Sequence, residues 1–217
     1  INRIGYTQMY RFGSPPNYNP KPEKSIEAMA KEKGVTAAEL AYEILIENDG
    51  NNFIYAPLVN YADHTFSVCK KMLDDKNAIM GLGDGGAHVG FILDAGYPTW
   101  LISYWSVKKK AFSMEETVRR LTSDTASAAG LNDRGILKVG LKADINIIDW
   151  ENVGSSDPFM TQDLPAGGKR LMQHTKGYVT TIVSGKVTYK NGKFTKERPG
   201  GVVKSVKDEE KILEFVN

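Results

Sequence analysis

Apolar side chains recur at helical intervals through residues 23–50. Ile26, Met29 and Ala30 lie three and four positions apart in EKSIEAMAKEK, and Gly34 follows as a stop signal. Thr36 with Glu39 three residues on has the pattern of a capping box, and Leu40, Ile44 and Leu45 form the apolar stripe of the helix it opens. The polar run NDGNN at 48–52 ends that helix. Residues 53–56 (FIYA) and 78–82 (AIMGL) are short, continuous apolar runs of buried-strand type, and a further helical pattern runs between them from about Asp63 to Leu73. Continuous apolar strands separated by helices predict a parallel sheet covered by helices.

Upstream, residues 1–22 have no period. Four prolines and two glycines are interleaved with Tyr6, Tyr10, Phe12 and Tyr18, which predicts a loop held by aromatic anchors. Downstream, Ser113 and Glu116 open another capped helix, and residues 123–130 read as a short small-residue helix stopped by Gly130. From Gly135 the pattern changes to short strands at 145–148, 179–183 and 186–189, and Asn191-Gly192 is the turn pair of a tight hairpin. The expected organisation is an α/β part over 1–134, an all-β part over 135–203, and a lysine-rich tail over 204–217.

Composition narrows the function classes. A net charge of +2 from 28 basic and 26 acidic residues gives no basic footprint for nucleic acid or an anionic membrane. No apolar run approaches the roughly 20 residues that span a bilayer, so a soluble, cytoplasmic protein is expected. The single cysteine, Cys69, cannot form an intrachain disulfide, and its helical context FSVCKKML suits an inert thiol better than a nucleophile. The chain opens on Ile1 with no methionine start, signal or transit segment, so the natural N-terminus is expected to lie elsewhere.

The chemistry concentrates at residues 81–86, GLGDGG, with His88 close behind. The segment satisfies G-x-G-x-x-G, but a dinucleotide site also needs a helix after the glycines and an acidic residue about 20 positions on. AHVGFILDAGYP is a poor helix, and the region near Leu101 has no such acid. Two readings remain: a glycine turn whose amides Asp84 satisfies, or an aspartate at the C-terminal end of a barrel strand, with Gly85 and Gly86 leaving room for substrate.

Five blocks bear on that choice: MGLGDGGAHVG from Met80, LTSDTASAAGLNDRGIL from Leu121, GLKADINIID from Gly140, DLPAGGKRL from Asp163 and VSGKV from Val183. In order and spacing they resemble the C-terminal part of the amidohydrolase superfamily, and DLPAGG resembles its N-acyl-D-amino-acid deacylase (D-aminoacylase) branch. The resemblance implies α/β architecture: the last strands and helices of a TIM-like (β/α)8 barrel, incomplete here, followed by part of a small β-sandwich. It also implies one or two zinc ions at the barrel mouth and hydrolysis of an amide by metal-activated hydroxide. Asp84 matches the family aspartate that touches the metal and moves the proton. His88, Gly85 and Gly86 then become candidate substrate contacts, although His88 also suits a loop histidine bonded to backbone.

The sequence departs from that pattern in ways that matter. The family's H-x-H pair is absent, and His64, His88 and His174 are not at ligand spacing. A complete barrel needs about 250 residues. The chain alone is therefore expected to retain no zinc and to need the remaining barrel half, from the same protein or other chains, with homo-oligomers possible. No arginine lies between Asp84 and Arg119 to bind a substrate carboxylate, which leaves Lys108, Lys109 or a residue in the missing half as substitutes. Tyr97, Trp100, Tyr104 and Trp105 could line an aromatic pocket, though such spacing more often marks core. The expected activity is hydrolysis of a non-peptide C–N bond in a small amide, an N-acyl-D-amino acid. The alternatives are a non-catalytic piece that completes a fold with a partner, and a cyclic-amide hydrolase of the dihydroorotase or hydantoinase kind.

Overall fold

Ser25 and Thr36 both cap helices, as their side chains allow. A computed structural model describes residues 4–81, 86 and 88–204. In it the Ser25 hydroxyl accepts from the Ala28 amide at 3.2 Å and opens α1 (Ile26–Lys33), which Gly34 closes at φ 71°. The helix starts later than its acidic lead predicts, because Pro22–Lys24 form a 3-10 turn. At α2 (Ala37–Gly50) the capping box is complete: Thr36 Oγ1 accepts from the Glu39 amide at 3.2 Å, and the Thr36 amide donates to Glu39 Oε2 at 2.8 Å. Helical geometry ends at Glu47, where ψ turns to 155° ahead of the polar run.

The chain divides into two compact units, residues 1–78 and 79–217. In the first, Ile26, Ala30, Leu40, Ala41 and Ile44 form the buried cluster between α1 and α2, with Met9, Met29 and Ile54 packed on it. Burying an aliphatic side chain of this size contributes about 1.5–3 kcal/mol each. Leu45, assigned to the same stripe from sequence, is 44% exposed, and Ala41 takes the inward position.

Among the described residues the predicted parallel sheet does not form. β1 (Tyr10–Arg11), within the segment read as loop, pairs antiparallel with β2 (Ile54–Tyr55), and every strand pair among the described residues is antiparallel. The run at 53–56 is continuously apolar for another reason. Ile54 packs on the helical core, whereas Tyr55 faces Tyr10, Phe12 and Tyr18 at centroid distances of 5.6–6.4 Å. α3 (Ser67–Asp74) begins four residues after Asp63, because the Asp63 carboxylate takes the Thr65 amide and hydroxyl and the Ser67 hydroxyl in a turn that precedes the helix. Residues 78–81 form no strand, and Leu82 lies outside the described residues.

In the second unit, α4 (Tyr97–Trp100) runs into a wide π-helical segment, Leu101–Lys108, in which the Lys109 amide reaches back to the Tyr104 carbonyl at 2.8 Å. Leu101, Ile102, Tyr104 and Trp105 from that segment are buried with Phe112. α5 (Met114–Leu121) is capped by Ser113, which accepts from the Glu116 amide at 3.1 Å, and α6 (Ser123–Ala128) follows.

The β region is richer than the sequence indicates. β3 (Ile145–Ile148), β8 (Tyr178–Val183), β9 (Lys186–Lys190) and β10 (Lys193–Phe194) form one sheet in the order β10-β9-β8-β3. Ser184-Gly185 and Asn191-Gly192 make its two-residue turns, all four at positive φ, as the right-handed strand twist requires. β4 (Gly154–Ser155) pairs with β7 (Thr175–Lys176), and β5 (Phe159–Leu164) with β6 (Gly168–Met172). The boundary expected near residue 134 lies inside this unit, between α6 and β3. Of the expected tail only Lys204 is among the described residues.

Candidate functional site

Asp84 and Gly85, the centre of the predicted site, lie outside the described residues. Their flanks are described. Gly86 has φ 100°, and a Cβ built there meets nothing within 4 Å, so a side chain would be strained by backbone conformation and not by crowding. His88 also has positive φ, 47°, and its carbonyl accepts from the Phe91 and Ile92 amides at 2.9 and 3.0 Å. Its exposed ring stacks on Phe91 at a centroid distance of 5.2 Å.

One backbone bond ties this loop to the β region: the Leu171 amide of β6 donates to the Val89 carbonyl at 2.7 Å. Further along, a Cβ at Gly96 would sit 3.7 Å from Gln173 Oε1, and Thr99 Oγ1 lies 2.9 Å from the Tyr178 hydroxyl. The segment that follows the motif is thus fastened by residues 171–178.

The hairpin that supplies Leu171 contains the DLPAGG block. Its turn, Pro165–Gly167, places Ala166 at φ 57°. Across it, Arg170 grips Asp163 with both arms of its guanidinium, Nε to Oδ1 at 2.7 Å and Nη2 to Oδ2 at 2.6 Å. That pair holds the Asp163 carboxyl below the usual carboxylate range and raises Arg170. Both residues lie in the DLPAGGKRL block, but residue type alone assigns neither a role. The signal was the Asp–Arg spacing of seven across a Pro-Ala-Gly-Gly turn.

The GLKAD block proves structural. Asp144 takes Arg134 Nη1 at 2.7 Å on one oxygen and the Ser184 amide at 2.8 Å on the other, joining the post-helix loop to the β8–β9 turn. Asp133 binds the same guanidinium, and its carboxyl is held low by that hydrogen bond.

The remaining candidates are dispersed. His64 Nδ1 meets the hydroxyl of buried Tyr10 at 2.5 Å, and burial raises the Tyr10 phenol. His174 lies tilted against Phe159 at 4.9 Å. Burial, backed by the nearby Asp63 charge, pushes the Cys69 thiol up, which matches an inert role. Tyr104 and Trp105 are core, Trp100 stacks on Tyr104 at 4.3 Å, and the Lys108 and Lys109 ammonium groups sit 5.9 and 5.5 Å from the Tyr104 ring centre. An open cleft of about 510 Å³, not foreseen, lies between Ser106, Lys110, Phe112, Met114, Trp150 and Glu151.

Among the described residues no three His, Cys, Asp or Glu side chains gather as metal donors. The described residues by themselves therefore do not fit the metal centre that the resemblance implies, and Asp84 is not among them. No helix among the described residues is long and apolar enough to cross a membrane.

Residues 7–189 match the family model described as "Amidohydrolase family". The chain belongs to that family. It is 28% identical over 192 residues to an uncharacterized protein of Mycobacterium tuberculosis (strain ATCC 25618 / H37Rv), covering 85% of this chain and 31% of that protein. A dihydroorotase of Lactobacillus acidophilus is 34% identical over 89 residues, 39% of this chain and 20% of its own length. Among solved structures, D-aminoacylase is similar at 20% identity and a TM-score of 0.45, over 87% of this chain and 36% of that one. The chain thus spans about a third of the length of the relatives that it matches most extensively.

Proposed function

We propose that this chain is the Asp84-bearing part of a metal-dependent amidohydrolase whose intact form hydrolyses the amide of an N-acyl-D-amino acid. The supporting observation is the family match over 7–189, which encloses both the GLGDGG motif and the DLPAGG hairpin. Amide hydrolysis needs a proton removed from the attacking water and one delivered to the leaving nitrogen. A single carboxylate can do both. As the water oxygen bonds to the carbonyl carbon, Asp84 takes its proton; when the C–N bond breaks, Asp84 returns that proton to the nitrogen. Transfer by a placed group of this kind contributes about 100- to 10,000-fold in rate. The zinc of this assignment, one or two ions, needs donors that the described residues do not assemble. The remaining barrel half or further copies would supply them, and Gly85, Gly86 and His88 would border the substrate.

The test is turnover of N-acyl-D-amino acids by the full-length protein. Asp84→Asn is expected to lower kcat by at least about 100-fold. Turnover within a few-fold of wild type would remove Asp84 from the chemistry. The 34% identical stretch shared with a dihydroorotase favours one second reading, a cyclic-amide hydrolase. Dihydroorotate or a hydantoin turned over in preference to the N-acyl amino acids would establish it.

A further inference from the structure

We propose that the open cleft beside α5 is a binding site for a small zwitterion with an apolar side chain, a free α-amino acid. The cleft, about 510 Å³, falls within the size range of small-molecule sites and lies wholly within residues 79–217. Hydrogen bonds fix both of its walls. On one side the π-helical segment ends as the Lys110 amide reaches the Ser106 carbonyl at 3.1 Å and the Ala111 amide reaches the Trp105 carbonyl at 2.8 Å. Lys110 then turns the chain at φ 51°, and buried Ser106 donates its hydroxyl to the Phe112 carbonyl at 3.1 Å. On the other side Trp150 and Glu151 sit in a 3-10 turn, Trp150–Asn152. Asp149 anchors that turn: its carboxylate accepts from the Asn152 side-chain amide at 2.9 Å, and its own amide donates to the Gly177 carbonyl at 2.7 Å.

The lining sorts ligands by chemistry. Val107, Phe112, Met114 and Trp150 give it apolar and aromatic surface, with Met114 47% exposed. Two opposite charges share that lining, Lys110 and Glu151, and among the described residues neither side chain has a hydrogen-bond or ion-pair partner. The neighbouring ammonium groups are engaged elsewhere, Lys108 and Lys109 lying 5.9 and 5.5 Å from the Tyr104 ring centre. A simple anion would gain Lys110 but meet Glu151, and a simple cation the reverse. A zwitterion satisfies both: its carboxylate accepts from Lys110, its ammonium donates to Glu151, and its side chain covers Met114 and Trp150. Such charge-assisted hydrogen bonds are stronger than neutral ones. The site uses none of the residues assigned to hydrolysis, so it stands whether or not Asp84 is the catalytic carboxylate.

The experiment titrates the full-length protein with free leucine by ligand-observed NMR. Saturation is expected with a Kd on the order of 1 mM, as suits a ligand of about ten heavy atoms. Isocaproate, which lacks the ammonium of leucine, and isopentylamine, which lacks its carboxylate, are each expected to bind about 10-fold more weakly. Lys110→Gln should bring leucine down to the level of isopentylamine without weakening isopentylamine itself. Glu151→Gln should bring leucine down to the level of isocaproate without weakening isocaproate. Both positions are exposed and both replacements keep the side-chain shape, so the melting temperature is expected to hold. If a variant does lower it, the comparison of the three ligands on the wild-type protein decides. The proposal is overturned if leucine shows no saturable binding up to about 10 mM, ten times the expected Kd. It is equally overturned if isocaproate or isopentylamine binds as tightly as leucine, or if folded Lys110→Gln and Glu151→Gln bind leucine as the wild type does, which would put the ligand at another site.

Discussion

Residues 26–44 and residues 145–194 handle apolar side chains in opposite ways. In the helical pair, Ile26, Ala30, Leu40 and Ile44 are at most 2% exposed, each covered by the facing helix a few residues away in sequence. In the four-stranded sheet, Ile147, Val179, Val187, Tyr189 and Phe194 stay 38–50% exposed although the strands pair in register. An αα pair closes its own interface. A sheet has two faces, and pairing edge to edge covers neither, so its burial depends on a second layer. Among the described residues the β region is held by tight turns, the Asp144 side-chain clamp and close chain contacts.

The sharpest way to break that contrast is to cut into the helical core. Leu40→Ala leaves a hole between α1 and α2, and the expected loss is about 2–5 kcal/mol, as for other buried Leu truncations. Urea unfolding should be followed by far-UV circular dichroism, because Trp100, Trp105 and Trp150 all lie in residues 79–217. A loss below about 1 kcal/mol would mean that the α1–α2 interface is not the core of its unit.

The β region should instead fail at a backbone contact. Gly177, just before β8, has φ 85°, its carbonyl accepts from the Asp149 amide at 2.7 Å, and an added Cβ would lie 2.6 Å from Val153 Cα. Both the conformation and the contact forbid a side chain. Gly177→Ala is expected to cost about 1–3 kcal/mol, with Trp150 fluorescence reporting the change nearby. A neutral result would show that the 149–153 strap is not pressed against β8.

The same contrast explains what the sequence discloses. Thr36 with Glu39, Ser113 with Glu116 and Asn191-Gly192 are legible because each device closes within three residues. β1 is not, since Tyr10 finds its partner Tyr55 forty-five residues later. Residues 53–56 mislead because aromatic rings on one side and a helical core on the other imitate the two covered faces of a parallel strand. At the site, GLGDGG is legible as a motif, whereas the Leu171–Val89 bond joins backbone atoms 82 residues apart and leaves no mark in residue type. Arg170 and Asp163 sit in plain view, but the register shift beside which they pair does not.

Phe194→Ala tests the exposed face itself. Phe194 is 42% exposed, its ring lies 5.4 Å from Tyr189 on the neighbouring strand, and Arg198 sits 5.7 Å from its centre. Where Tyr189 and Arg198 are its partners, truncation removes one cross-strand pair, and the expected loss is no more than about 1 kcal/mol. If a second layer covers the sheet in solution, the same change opens a cavity, and the loss should approach the 3–5 kcal/mol typical of buried Phe truncations. A melting temperature that rises with protein concentration in the wild type and no longer does so in Phe194→Ala would identify that layer as another copy of the chain. A small, concentration-independent loss would keep the two regions as different as they stand: one closed on itself, the other with Ile147, Val179, Val187, Tyr189 and Phe194 partly exposed.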